Sequence, residues 1–175
     1  MEDSLCILLI ILMVWLIIYL IIEFNLINSR RIIVKKAFIE LDEMLIKRLN
    51  ILAKILDVVK AYDKNQFDDF GSRLYDYIKQ YNDYDYNKKI GLDKLLDNDI
   101  KRILLVSKVY PEVNEVVKYN KMERQLIRYE KVIRKLKIKY NKTLDAYNNR
   151  KKIFPSGLMC KVLNFYNFEY CDLKR

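Results

Sequence analysis

Residues 111–154 read PEVNEVVKYNKMERQLIRYEKVIRKLKIKYNKTLDAYNNRKKIF, and this stretch decides the fold. Val116, Tyr119, Met122, Leu126, Tyr129, Ile133, Leu136, Tyr140, Thr143 and Tyr147 follow one another at alternating steps of three and four, apolar or aromatic everywhere but Thr143. That spacing is the seam of a long helix. At about 1.5 Å of rise per residue the seam is roughly 47 Å long. A single helix cannot leave so much apolar surface in water, so other helices must cover it. The opposite face carries Lys121, Arg124, Arg128, Lys131, Lys135 and Lys142, which face solvent or an anionic partner.

The segments upstream read as that cover. Val34, Phe38, Leu41, Leu45, Leu49, Leu52, Leu56, Val59 and Tyr62 form an apolar row, which predicts a helix of about 33 residues ending near Tyr62. A short polar break at Asn25, Asn28 and Ser29 is expected before it. Phe67, Phe70, Leu74, Tyr77, Ile78 and Tyr81 form a second row. Leu92, Leu95, Leu96, Ile103, Leu104 and Val106 form a third, less regular one, behind a loop over residues 82–87. Pro111 ends the third helix or opens the fourth. Phe154, Pro155, Ser156 and Gly157 stop the fourth, where Lys151 and Lys152 suit the negative end of the helix dipole.

Residues 5–22 hold no charge and would span about 27 Å as a helix, close to the hydrocarbon thickness of a bilayer. The segment before them, Met1-Glu2-Asp3-Ser4, lacks the basic residues of a signal peptide, and no small-residue cleavage site follows. The run therefore reads as an uncleaved anchor. Arg30, Arg31, Lys35 and Lys36 follow it while Glu2 and Asp3 precede it, which predicts a single-pass protein with its N-terminus outside and its bundle in the cytoplasm.

The chain has 175 residues, of which 52% are apolar, with only three glycines and two prolines. A core is affordable in one domain, and the scarcity of turn residues favours long helices. The all-α class follows: an N-terminal transmembrane helix and then a long antiparallel four-helix bundle. The formal charge of +10 is concentrated in residues 101–175, which carry +12. Cys6, Cys160 and Cys171 have no metal-ligand spacing and fit a reducing compartment.

Histidine is absent from the sequence. The usual general base and the Ser-His and Cys-His pairs are thereby excluded. Gly71, Gly91 and Gly157 make no phosphate loop. Asp83, Asp85 and Asn87 imitate the start of a calcium loop, but Lys88 and Lys94 stand where glycine and glutamate belong. Neither cofactor nor metal is expected, and the chain reads as a non-enzyme.

The last helix resembles the LemA family of bacterial membrane-anchored helical proteins through Glu130, Ile133, Tyr140-Asn141, Tyr147-Asn148 and Phe154-Pro155-Ser156. Tyr110-Pro111-Glu112, Tyr119 and Leu126 fit the same register. Phe24-Asn25, Ala37, Leu41-Asp42, Leu45, Lys47-Arg48, Leu52 and Val59-Lys60-Ala61-Tyr62 resemble the family's first helix. Ala53-Lys54 and Lys108 depart from its pattern. The resemblance implies a membrane helix and a cytoplasmic antiparallel bundle, in a family without an established enzymatic activity.

The expected division is a short outer N-terminus at 1–4, the anchor at 5–22, a LemA-like bundle at 30–156 and an apolar tail at 157–175. That tail would either lie among lipid headgroups or cap the bundle end. The expected function is that of a membrane-anchored scaffold or adaptor of the bacterial cell envelope. The alternative is a module binding anionic lipid or nucleic acid through the basic face of the last helix. Expected partners are the membrane lipid bilayer and an envelope protein, with self-association open. Nucleic acid is not expected, because the tyrosines lie on the seam and give the basic stripe no stacking platform. Tyr140, Asn141, Tyr147, Asn148, Phe154 and Pro155 are the candidate interaction or register residues.

Overall fold

The structure, a computed structural model, describes residues 2–62, 64–110, 112 and 117–173. Among these residues there are five α-helices: α1 (Glu2–Val59), α2 (Lys64–Gln80), α3 (Tyr86–Val109), α4 (Val117–Lys151) and α5 (Ser156–Val162), with a 3-10 turn at Tyr81–Asp83. The chain is all-α. Pro111 and Val116, expected to open the last helix and its seam, lie outside the described residues.

The expected polar break is not there: Asn25, Asn28 and Ser29 are all inside α1. Each costs a helix no more than about 0.7 kcal/mol relative to alanine. A break would instead strand backbone donors and acceptors at two new helix ends. The third helix also begins earlier than its apolar row suggests. Asp85 accepts a hydrogen bond from the Lys88 backbone N–H (2.8 Å), so it caps α3, and the 3-10 turn and α3 together leave only Tyr84 and Asp85 of the expected loop. Leu95, expected in that row, is exposed, and Ile90 and Ile100 are buried in its place.

The chain divides into two compact units, Met1–Lys36 with Lys142–Asn167, and Ala37–Asn141 with Phe168–Arg175. In the larger unit, pairings fix the topology. Glu40 binds Lys139 and Arg48 meets Glu130, so numbers fall along α4 as they rise along α1. Asp57 with Tyr75 and Lys60 with Asp68 set α2 antiparallel to α1. Asp42 with Lys89 and Arg48 with Asp93 show α3 running with α1 again. The result is an antiparallel four-helix bundle with sequential reversals.

Its core holds the expected row of α1 from Phe38 to Val59. Tyr62, expected to close that row, is exposed. In the smaller unit Leu144, and not the expected Thr143, is buried on α4. On α4 the buried residues of the larger unit are Tyr119, Met122, Leu126, Ile133, Lys137 and Tyr140. The tail enters this unit too: the Phe168 ring packs on Tyr86, which packs on Phe38, which packs on Tyr140, with centroids 4.8 to 5.8 Å apart. Such edge-to-face stacking adds specificity to apolar burial.

In the smaller unit, the apolar side chains of residues 5–22 stand outward, from Trp15 at 69% exposed to Ile18 at 44%, with only Leu20 more covered. This is a helix long and apolar enough to cross a membrane.

Candidate functional site

Helical spacing carries three charged residues into the bundle interior. Arg48 stands three residues after Leu45 and four before Leu52, Asp93 three before Leu96, and Lys137 four after Ile133 and three before Tyr140. Each shares its helix's apolar stripe. Arg48, Asp93 and Lys137 are accordingly only 1%, 3% and 6% exposed. Arg48 donates through Nη2 to Asp93 Oδ1 at 2.7 Å, and Lys137 Nζ meets Asp93 Oδ2 at 2.5 Å. One carboxylate thus joins α1, α3 and α4. Arg48 Nη1 lies 3.5 Å from Glu130 Oε1, and its buried Nε has no hydrogen-bond partner among the described residues.

Two more carboxyls adjoin this cluster. Burial pushes the Glu130 and Asp97 carboxyls above their ordinary range, and the cations Arg48 and Lys137 only partly offset it. Both line an open cavity of about 340 Å³ with Lys137, Ile100, Ile133 and Leu173. The cluster has two cations against three carboxyls, two of them raised by burial. Chemically it holds charge in the interior; it presents no nucleophile aligned with a base among the described residues.

The residues singled out in the sequence fall in other places. Tyr140 and Tyr147 are fully buried. The Tyr140 hydroxyl donates to the Glu169 carbonyl (2.9 Å). The Asn141 amide donates to the Cys171 carbonyl (2.8 Å) and accepts from the Cys171 N–H (2.9 Å). Asn141 therefore clamps the backbone of the tail. Burial pushes the Cys171 thiol up to about 12 and the Tyr147 hydroxyl likewise to about 12. Asn148 is half-buried, Pro155 is buried and Phe154 is exposed. Lys121, Arg124, Arg128, Lys131, Lys135 and Lys142 are all exposed. Of the imitation calcium loop, Asp85 caps α3 and Asn87 accepts the Glu169 N–H (2.9 Å).

The smaller unit has a polar lock of its own. Glu23 follows the apolar run immediately and is 7% exposed. Ser156 Oγ donates to its carboxylate at 2.8 Å, and Arg150 forms a salt bridge with it. The Ser156 bond and Arg150 hold this carboxyl below the usual range, against the burial that raises it. Arg31 stacks over the Phe165 ring, 4.4 Å from its centroid. A second open cavity, of about 610 Å³, is lined by Lys151, Lys152, Lys161, Asn164 and Asn167 with apolar neighbours.

In the sequence Glu130 and Arg48 stand out only as motif positions, and nothing there links them to Asp93 and Lys137. The available signal was a charge at a three-or-four step within an apolar row, seen at Arg48, Asp93 and Lys137 alike.

Fold and interior together define an antiparallel helical bundle with a buried charge cluster, preceded by a helix able to cross a membrane. The chain belongs to the LemA family, whose model matches residues 37–175. Phe24 and Asn25 precede that match, while the whole tail is inside it. Comparison with curated proteins and with solved structures returned no match.

Proposed function

We propose that this LemA family member is a single-pass, membrane-anchored scaffold without catalytic activity, its N-terminus outside and its bundle in the cytoplasm of a bacterial cell. One observation carries the reading: the outward-facing apolar surface of α1 over residues 5–22, which water would not tolerate and a bilayer would. The charges around that run favour the stated orientation, with Glu2 and Asp3 before it and Arg30, Arg31, Lys35 and Lys36 after it. The charge cluster between α1, α3 and α4 fits a structural role: buried ion pairs can specify which helices meet and in what register. The bundle then presents a defined outer face to an envelope protein or to a second copy of the chain.

Two measurements test this. In intact cells external protease should leave the bundle whole and should degrade it only after lysis; cleavage before lysis reverses the orientation. Crosslinking in native membranes should attach a protein to the bundle, and a bundle that captures none counts against an adaptor.

A second reading is favoured by the exposure of all six basic residues of α4 from Lys121 to Lys142. It makes that face a contact for anionic lipid or nucleic acid. Binding of the full-length chain to DNA or to anionic vesicles would then fall steeply with salt. Salt-insensitive behaviour removes it.

A further inference from the structure

We infer that α5 and the turn before it form a second membrane contact, an interfacial segment that seats on an anionic phospholipid leaflet beside the span; this rests on the anchor reading above. The level of α5 is set by Glu23. That residue directly follows the apolar run, and it binds both Ser156, the first residue of α5, and Arg150. The start of α5 is therefore tied to the end of the span.

The segment is two-faced. Ser156 and Cys160, four apart, are buried, whereas Phe154, Leu158 and Val162, also four apart, are 77%, 57% and 75% exposed. Large side chains left so bare at the height where a span ends have headgroups and upper acyl chains as their natural surroundings. Charge selects the leaflet. Residues 146–168 contain Arg150, Lys151, Lys152 and Lys161 and no Asp or Glu. Lys152 and Lys161 are exposed beside the 610 Å³ cavity, with Asn164 and Asn167 on its wall. Lysine ammonium groups with amide N–H donors suit a phosphate headgroup, and a negative leaflet concentrates such lipids near basic side chains. This contact differs from one through the basic face of α4, because it uses neither Lys121 nor any other residue of that stripe.

The test uses the full-length chain in vesicles of phosphatidylcholine alone or with phosphatidylglycerol. Trp15 is the single tryptophan, so its quenching by lipids brominated deep in the acyl chain reports the anchor. Leu158→Cys and Val162→Cys, each in a Cys6→Ala, Cys160→Ala, Cys171→Ala background, carry a fluorophore that reports α5. Both sites are exposed, so either label leaves the core untouched.

The expected result is deep quenching of Trp15 and shallow, headgroup-level quenching of both labels, stronger with phosphatidylglycerol present. Lys152→Gln with Lys161→Gln should weaken label docking on anionic vesicles by about twenty-five-fold, at about fivefold per lysine, and leave Trp15 quenching unchanged. Quenched Trp15 with labels that stay in water or are held by protein overturns the inference while the anchor stands. Unquenched Trp15 overturns both. Label docking indifferent to the lysines or to phosphatidylglycerol overturns the assignment of an anionic leaflet.

Discussion

Replacing Asp93 by asparagine keeps the side chain's shape and removes one charge from the bundle interior. Two cations then lose their common counter-ion. At 2.7 Å, Arg48 is attracted to Asp93 by about 6 kcal/mol at an effective dielectric near 20, before desolvation is counted. Lys137 gains similarly from the other oxygen. Much of this attraction is offset in the native protein by the cost of burying the ions, so the pairs themselves contribute far less than the sum. When one member is neutralised the attraction goes and the burial cost of the cations remains: Arg48 and Lys137 stay buried with only Glu130 and Asp97 nearby, and those carboxyls are the ones burial favours in protonated form. Asp93→Asn should therefore cost about 3–5 kcal/mol, the range for orphaning a buried charge. The combination Arg48→Met, Asp93→Leu, Lys137→Met removes all three fully buried ions, leaving Glu130 and Asp97, which are only half-buried, and should lie within about 1 kcal/mol of the native protein. Denaturant unfolding of the full-length chain in detergent, followed by tyrosine near-ultraviolet dichroism, measures both. A loss below about 1 kcal/mol for Asp93→Asn, or a triple variant as unstable as the single one, would refute the reasoning.

Other outcomes follow from single contacts. Asn141→Ala should release the tail and let the Cys171 thiol fall from about 12 towards the ordinary thiol range, raising its alkylation rate at pH 8 up to about a thousandfold; an unchanged rate would show the clamp to be dispensable. Gly157→Ala should displace α5, because an added Cβ would collide with the Lys151 carbonyl oxygen. A loss of about 1–3 kcal/mol is expected, together with weakened Glu23–Ser156 bonding, visible in faster amide exchange around residue 156. The Glu130 carboxyl is raised by burial above its reference of 4.5, so its stabilising contribution is complete below that value and is lost as pH rises through the folded value. Glu130→Gln should accordingly match the native protein at low pH and gain on it towards neutrality, and a gain that grows on acidification would contradict the assignment. Glu23 has the opposite sign: its carboxyl is lowered, so its contribution is present above 4.5 and disappears as pH falls. Glu23→Gln should flatten the acid limb of the unfolding curve.

The helices were legible because helix formation is a local matter. The row Phe38, Leu41, Leu45, Leu49, Leu52, Leu56 and Val59 buries the face its spacing specifies, and the run from residue 5 to 22 faces outward with no charge to hide. Family membership was legible too, since Tyr140-Asn141, Tyr147-Asn148 and Phe154-Pro155-Ser156 are short, contiguous and fixed in register. Asn25, Asn28 and Ser29 do not break α1, because single-residue propensities are small beside the cooperativity of a helix already formed.

The charge cluster lay beyond the sequence for another reason. A lysine or an arginine in an apolar row is ambiguous until its counter-ion is known, and Arg48 finds Asp93 forty-five residues away and Glu130 eighty-two away. Nor does spacing show that Asn141 holds the backbone of Cys171, thirty residues on, or that Ser156 reaches back to Glu23 across 133. Periodicity determines which face of a helix is turned inward, because that depends on neighbours three and four apart. Which groups meet on the inward faces depends on how the helices pack, and only the tertiary structure decides it.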